Sequence, residues 1–250
     1  MDRFFVDKNN IDLENKTCII EGEDVKHISK VLRCKIGEKL EICDKENSEY
    51  ICEITDIDKS QVGLSILEKK DVKRESDLKV KLYQGLPKST KMEFILQKLT
   101  EVGVDEIILV ATKTSVVKVD DKKEGKKLER WERIIYEAAK QSKRGKIPKL
   151  RGVLSFKEAL DDMKNNDINI CPYENERTVS IKSAIRGAEV NNIGIFVGPE
   201  GGFEEDEIET IQQIDSKVVS LGPRILRTET ASVVASSIVL YELSDLGGNI

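Results

Sequence analysis

Two short apolar runs in the last quarter of the chain, each ending at a Gly-Pro pair, constrain the fold more than any other feature. The first run, residues 193–197 (IGIFV), stops at the loop GPEGG. The second, residues 217–221 (KVVSL), stops at Gly222-Pro223. Apolar runs that do not alternate and that end in turn residues are typical of strands buried on both faces of a parallel sheet. Two such strands with glycine-rich ends predict one ligand pocket at the carboxyl edge of that sheet.

The charge around the first glycine loop indicates what kind of ligand the pocket takes. Loops that cradle phosphates pair glycines with Lys or Ser/Thr. Here the loop contains Glu200, and four acids follow it at residues 204–207 (EEDE). These acids suit the positive end of a helix dipole but would repel a phosphate. A neutral or cationic ligand is therefore expected, although the simpler alternative is that the glycines form only a turn and the acids only begin a helix.

Composition narrows the class of protein. The 250 residues carry a formal net charge of −5, five cysteines without a CxxC pair, and a single histidine, His27, so the sequence argues against a zinc site. No run has the length and apolarity of a membrane span, and the start lacks the apolar core of a signal peptide. We therefore expect a cytoplasmic protein with reduced cysteines. Basic residues cluster at 26–33 and 140–146, which leaves a nucleic-acid partner open.

Residues 1–72 are predicted to form a small β domain. Apolar and polar residues alternate, as in half-buried strands, in the segments 39–44, 49–54 and 62–67. One short helix is expected over residues 23–31, with Val25, Ile28 and Val31 facing inward. Short strands with one helix indicate a barrel, a fold that often carries a nucleic-acid-binding surface. The charged stretch 69–77 is expected to be a linker.

Residues 73–250 alternate predicted strands and helices, which indicates a mostly parallel α/β sheet. Besides the two runs above, strands are expected at 78–86, 104–111 and 168–171. Helices are expected at 91–102, 129–142, 156–165, 179–185 and 204–214. The last helix, expected over 229–246, is apolar nearly all round and rich in small residues. We expect it to be buried inside the domain or against another subunit.

The available residue types limit the chemistry. A Ser-His-Asp hydrolase needs a histidine, and His27 lies in the other predicted domain. No GxGxxG follows an early strand, which argues against a Rossmann dinucleotide site. Metal catalysis lacks an obvious set of ligands. Methyl transfer from a cationic sulfonium needs neither a histidine nor a metal, because the donor is already activated and positioning supplies much of the rate.

Matching motifs occur along nearly the whole chain. They are RFFV (3–6), HISKVLR (27–33), KMEFILQKLTEVGV (91–104), ERWERIIYEAAKQSKR (129–144), GPEGGF (198–203) and LGPRILRTETA (221–231). On these motifs the sequence resembles the ribosomal RNA small-subunit methyltransferase E family, the uridine-N3 methyltransferases of the SPOUT superfamily.

The resemblance implies a fold, a cofactor and a product. The fold is α/β: a PUA-like β-barrel that binds RNA at 1–72, and a SPOUT methyltransferase domain with a trefoil knot at 73–250. The product is N3-methyluridine in 16S rRNA, made by a homodimer with RNA lying across both subunits. S-adenosylmethionine is implied to bind largely through backbone groups of the two matched loops, at Gly198, Pro199, Glu200, Gly201, Leu221, Gly222, Ile225, Leu226 and Arg227.

Methylation of uridine N3 requires the loss of a proton from that nitrogen. Glu229 is the candidate to accept it, and Arg227 is the candidate to stabilise charge on O2 and O4. Glu229 as a first-turn helix acid, and Arg227 as an ion-pair partner of Glu200 or Glu229, are the alternatives. The candidates for RNA binding are six basic side chains and the histidine: Arg3, His27, Lys30, Arg33, Lys91, Lys113 and Arg144.

The chain departs from the family pattern at Thr114, where an arginine usually precedes Ser-Val-Val. If that arginine grips an RNA phosphate, Lys113 or Lys118 has to replace it, and lysine lacks the bidentate grip of arginine. Two other functions stay open. One is a catalytically inactive RNA-binding ribosome-assembly factor, which a failure to bind S-adenosylmethionine would favour. The other is methylation of a different RNA position, such as a ribose 2′-hydroxyl, which product analysis would reveal.

Overall fold

A computed structural model describes residues 1–115 and 121–248, and the chain divides into two compact units. The first unit comprises Met1–Glu75 and Ala139–Ile147, and the second comprises Ser76–Ala138 and Pro148–Ile250. The predicted division after residue 72 lies close to the first of these breaks. No sequence pattern indicated that residues 139–147 belong with the N-terminal unit.

The first unit is built on one six-stranded sheet. Its strands are β1 (Arg3–Phe5), β2 (Ile11–Asp12), β3 (Thr17–Glu21), β4 (Lys39–Cys43), β5 (Glu49–Ile57) and β6 (Gln61–Lys70), with a 3-10 turn at Lys8–Asn10. The order is β1-β4-β5-β6-β3-β2, and all neighbours are antiparallel except β1 and β4. The alternation in sequence reappears as burial, since Val62, Leu64 and Ile66 are buried while Gly63 and Ser65 are half-buried. The three strands predicted from alternation are confirmed.

The helical segment after β3 changes its winding part-way along. It begins as α1 (Glu23–Lys26) and continues as a π-helix (His27–Leu32). Val25 and Ile28 are buried as predicted, but Val31 is 70% exposed, so its predicted inward position is wrong. The wider π turn moves residue 31 off the inward face, and Leu32 packs against the core instead.

The stretch 69–77 is only partly a linker. Strand β6 extends to Lys70, and Glu75 is buried. The Glu75 carboxylate accepts hydrogen bonds from the side chain of Arg144 and from the N–H of Gly145. This contact between distant parts of the sequence joins residues 139–147 to the first unit.

The second unit contains a six-stranded sheet in which all neighbouring strands are parallel, in agreement with the mostly parallel sheet predicted from the sequence. Its strands are β7 (Lys79–Gly85), β8 (Glu106–Ala111), β9 (Lys149–Ser155), β10 (Ile168–Pro172), β11 (Asn192–Val197) and β12 (Lys217–Val219), in the order β12-β10-β11-β7-β8-β9. Residues 193–197 of β11 are all buried near the centre of the sheet. Strand β9 was not predicted, because at the sheet edge its sequence KLRGVLS needs no continuous apolar run.

Six helices are described in the second unit or begin in it. They are α2 (Ser89–Val102), α3 (Asp121–Gln141), α4 (Phe156–Met163), α5 (Ile181–Ile185), α6 (Glu205–Gln212) and α7 (Thr228–Leu243). The six predicted helices are thus confirmed, with α3 beginning earlier than expected. Helix α7 packs on α2, α5, β7 and β11, yet Tyr241 near its end is 68% exposed. Among the described residues, no helix combines the length and apolarity needed to cross a membrane.

Candidate active site

A cavity of about 300 Å³ lies at the carboxyl edge of the parallel sheet. Because the strands are parallel, the loops that follow β10, β11 and β12 open at the same edge. These loops, helix α2 and the start of α7 line the cavity with Lys91, Pro172, Tyr173, Glu174, Arg177, Val197, Gly198, Pro199, Glu200, Gly202, Phe203, Ser220, Leu221, Gly222, Arg224, Ile225, Leu226, Arg227, Thr228 and Ala231. The pocket predicted from the two Gly-Pro loops is therefore present.

Of the predicted cofactor-binding residues, Gly201 alone is absent from the cavity lining. A Cβ on Gly201 would lie 2.8 Å from the Cβ of Thr114, so this glycine permits packing between two loops. Gly202 lines the cavity instead, with a φ of 70° that favours glycine. Gly198, Pro199, Glu200, Leu221, Gly222, Ile225, Leu226 and Arg227 all line the cavity.

Lys91, a predicted RNA contact, links two carboxylates at the cavity. Its Nζ lies 3.4 Å from Glu200 Oε1 and 3.4 Å from Glu229 Oε2. Burial of the Glu200 carboxyl opposes ionisation, but the N–H of Lys88 donates a hydrogen bond to it and the Lys91 ammonium lies beside it. These contacts outweigh burial and lower the pKa of Glu200 below its ordinary value. Glu200 therefore stays ionised and places a carboxylate in a cavity wall that also holds the cationic side chains of Lys91, Arg177, Arg224 and Arg227.

The two candidate catalytic residues lie at the start of α7. Arg227 is the N-cap residue, and its exposed side chain lines the cavity. The alternative ion pair of Arg227 with Glu200 or Glu229 is not found among the described residues; Lys91 pairs with both carboxylates instead. Glu229 lies in the first turn of α7, adjacent to the lining residue Thr228. This position is compatible with both roles considered for Glu229.

No motif pointed to Tyr173, Glu174 and Arg177, which follow β10 and line the cavity. The signal that could have found them is topological. The strand at 168–171 was predicted, and in a parallel sheet its carboxyl end must open at the same edge as the two glycine loops.

Aromatic packing supports the far side of the first loop, where Phe203 lies edge-on to Phe196 with ring centroids 4.8 Å apart.

Thr114 holds the first glycine loop in place. Its Oγ1 donates a hydrogen bond to the carbonyl of Gly202 over 2.6 Å. The neighbouring Lys113, a predicted RNA contact, pairs through its ammonium with Asp206, and its N–H donates to Glu207 Oε1. Lys118, the other predicted substitute for the family's arginine, lies outside the described residues. In this chain, position 114 therefore contacts the cavity wall.

Two predicted RNA contacts in the first unit are buried ion pairs. Arg3 Nη1 lies 2.5 Å from Glu41 Oε1, and Arg3 Nη2 lies 2.9 Å from Glu49 Oε1. Arg144 Nη2 lies 2.7 Å from Glu75 Oε2. Both arginines are no more than 5% exposed, so they offer no accessible charge, and their burial argues against the predicted RNA contacts at these two positions.

The other three candidates of the first unit reach the surface. Lys30 and Arg33 are exposed, and Arg33 ends the π-helix with a φ of 57°. His27 is half-buried, with its ring 6.0 Å from that of Phe4 in an edge-to-face contact. RNA binding by these residues stays a prediction. Within the described ranges, no three His, Cys, Asp or Glu side chains are placed to hold a metal ion.

Two family models match the chain. The RNA methyltransferase domain matches residues 74–240, and the RNA methyltransferase PUA domain matches residues 20–67. The first match contains the cavity, and the second covers much of the N-terminal sheet. The α/β fold with a PUA-like N-terminal domain, predicted from the sequence, is confirmed.

Named relatives and solved structures agree with the family models. The chain is 38% identical to ribosomal RNA small subunit methyltransferase E of Bacillus subtilis strain 168, with 100% of both chains covered. A crystal structure of that methyltransferase from Neisseria gonorrhoeae, bound to S-adenosylmethionine, superposes with a TM-score of 0.87 at 29% identity, covering 98% of this chain and 99% of the other. A Legionella pneumophila methyltransferase solved with the same cofactor has a TM-score of 0.87 at 30% identity, covering 98% of each chain. The chain therefore belongs to the ribosomal RNA small subunit methyltransferase E family.

Proposed function

We propose that this protein transfers the methyl group of S-adenosylmethionine to N3 of a uridine in 16S rRNA. The observation that carries the proposal is the cavity between the two Gly-Pro loops, with the Glu200 carboxylate in its wall, in a chain whose structural neighbours were solved with this cofactor bound. The names of the relatives supply ribosomal RNA of the small subunit as substrate. The choice of uridine N3 rests on the sequence resemblance.

The lining residues fit S-adenosylmethionine. The cavity volume lies at the lower end of the range for small-molecule pockets. Backbone groups at Gly222 are accessible because the residue is exposed, and a Cβ on it would meet nothing within 4 Å. Val197, Phe203 and Leu226 supply apolar surface for an adenine ring. The Glu200 carboxylate supplies the charge opposite to that of a sulfonium.

The protein's part in the reaction is to hold the base, remove a proton and stabilise charge. When bound, the cofactor supplies a methyl group already activated by the positive sulfur. Glu229, held beside Lys91, accepts the proton from uridine N3 onto its carboxylate. Arg227 stabilises the negative charge that this loss spreads over O2 and O4. Because no ion pair of Arg227 is found among the described residues, its guanidinium can face the base.

The proposal includes a homodimer located in the cytoplasm, the compartment that fits an rRNA substrate. Two large apolar side chains on packed helices support association with a second copy. Phe94 on α2 is 45% exposed, and Tyr241 on α7 is 68% exposed. Contact with another subunit would remove this surface from water. Light scattering of the purified protein should give the mass of a dimer, and a monomer mass would contradict this part of the proposal.

Methyl transfer in vitro tests the proposed function. Purified protein, labelled S-adenosylmethionine and small ribosomal subunits should yield labelled N3-methyluridine after digestion to nucleosides. Glu229→Gln should lower turnover by about 100-fold or more while changing cofactor affinity little. Glu205→Gln, a matched change of an exposed acid in the first turn of α6, should leave turnover unchanged.

Each contrary outcome removes a distinct part of the proposal. Full turnover by Glu229→Gln would exclude Glu229 as the proton acceptor. A label in a 2′-O-methylated nucleoside would place the reaction at another RNA position. Absence of cofactor binding by the wild-type protein would favour an RNA-binding assembly factor without activity.

A further inference from the structure

A buried amide connects the first glycine loop to the start of helix α7, where the second loop ends. Gln84, the penultimate residue of β7, has no exposed surface. Its Nε2 donates to Thr228 Oγ1 over 3.0 Å, and its Oε1 accepts a hydrogen bond from Ser232 Oγ over 2.5 Å. The Thr228 hydroxyl donates in turn to the carbonyl of Gly198 over 2.6 Å. One side chain thus connects β7, the start of α7 and the first glycine loop.

The hydrogen-bond directions in this cluster require a group that both donates and accepts. Thr228 has one hydroxyl proton, which goes to Gly198, so its oxygen accepts from Gln84. Ser232 supplies a proton to the other end of the same amide. Among side chains of this size, only an amide supplies a donor at one end and an acceptor at the other. A buried network of this kind is effective when every member is satisfied.

Strand β7 also sets the position of the first loop through packing. A Cβ on Gly85 would lie 2.5 Å from Cδ of Pro199, so the loop rests directly on the backbone at the end of β7. Gly198 and Thr228 line the cavity, whereas Gln84 does not. The Gln84 amide therefore lies outside the cavity lining but is hydrogen-bonded to Thr228, which lines the cavity and bonds to Gly198.

We propose that Gln84 is a positioning residue that fixes the separation of the two cofactor-binding loops, acting through Thr228 and Gly198. The inference rests on the proposed function, because it assumes that the cavity holds S-adenosylmethionine. The inference predicts that disrupting this hydrogen-bonded cluster weakens cofactor binding even when the substituted residue, Gln84 or Ser232, does not line the cavity. The effect should appear in the affinity and KM for S-adenosylmethionine more than in kcat at saturation.

Helix α7 offers a matched pair of serines for the test. Ser232 and Ser236 lie one helical turn apart, and both are fully buried. The hydroxyl of Ser232 bonds to Gln84, whereas that of Ser236 has no hydrogen-bond partner in the part of the chain that the structure describes. Ser232→Ala should raise the Kd for S-adenosylmethionine, measured by calorimetry, about threefold to tenfold. Ser236→Ala should change it less than about twofold.

Gln84→Met, which keeps the length of the side chain but removes both polar groups, should raise the Kd by about tenfold or more. Adding Ser232→Ala to Gln84→Met should have little further effect, because the two residues act through one cluster. If Gln84→Met fails to fold, comparison of the Kd values of Ser232→Ala and Ser236→Ala still tests the inference, since each of these changes removes a single hydroxyl.

Two contrary results are distinguishable. Equal cofactor affinity of Ser232→Ala, Ser236→Ala and the wild type would overturn the role of Gln84 and leave the proposed function intact. Absence of cofactor binding by the wild type would contradict the proposed function itself.

Discussion

Arg144 lies in a basic motif but is buried against a carboxylate of its own unit. Substituting Arg144 by Ala would leave the buried Glu75 without its bidentate partner. We expect the free energy of unfolding to fall by about 3–5 kcal/mol, because an uncompensated buried charge is costly. Urea denaturation of the full chain measures this.

Lys30→Ala is the matched control for Arg144→Ala, because Lys30 is exposed. Its stability should stay within about 0.5 kcal/mol of the wild type, while its affinity for small-subunit rRNA should fall. Unchanged stability of Arg144→Ala together with weaker RNA binding would restore Arg144 as an RNA contact.

Glu41 should make the protein sensitive to acid. Burial of its carboxyl opposes ionisation, but hydrogen bonds from Arg3, Lys70 and Lys143 outweigh this and lower its pKa from 4.5 to about 2. Because the pKa is lower in the folded state, the stabilisation is complete above about pH 4.5 and is lost as the pH falls towards 2. It amounts to about 3 kcal/mol. Denaturation of wild type and Glu41→Gln at pH 7 and pH 3 should show a smaller loss of stability in the variant; equal losses would contradict this origin.

Sequence alone could identify the functional loops residue by residue but not the burial of single charges. The glycines and prolines of the two loops carry a local signal for a pocket, and eight of the nine cofactor-binding residues that the family resemblance implied there line the cavity. Whether Arg3 faces RNA or a carboxylate depends on Glu41 and Glu49, which are distant in the chain. The burial of Gln84 was equally hidden, since Thr228 and Ser232, the side chains to which it bonds, are distant in the chain.

At the scale of elements, the π-helix and a regular α-helix over the same residues differ in which side chains they bury, and this difference can be tested. Ile28→Ala should lower the free energy of unfolding by about 2–5 kcal/mol, because Ile28 is fully buried. Val31→Ala should change it by less than about 0.5 kcal/mol, because Val31 is 70% exposed. Urea denaturation of both variants checks the pair. Similar losses at both positions would mean that the segment is a regular α-helix.

Elements with strong periodicity could be predicted, and those shaped by their neighbours could not. Strands β4, β5 and β6 followed from alternation, and β11 followed from an unbroken apolar run. Strand β9 carries charges and a glycine, which are tolerated because the strand lies at the edge of the sheet. The π winding after Lys26 depends on backbone hydrogen bonds that side-chain spacing does not encode.

For the whole molecule, the sequence predicted the α/β class, the PUA-like domain and the family. The grouping of residues 139–147 with the N-terminal unit comes with contacts between distant residues, among them the buried Glu75–Arg144 pair, and had no local signal. The contribution of the loop after β10 to the cavity required knowledge of strand order. The trefoil knot and the homodimer stay predictions.

The central claim is tested most directly by nucleoside mass spectrometry of small-subunit rRNA from cells with and without this protein. N3-methyluridine should disappear in the deletion and return with the wild-type gene. It should not return with Ala231→Trp, because Ala231 lines the cavity and the larger side chain would fill it. An N3-methyluridine level that is unchanged by the deletion would contradict the proposed activity.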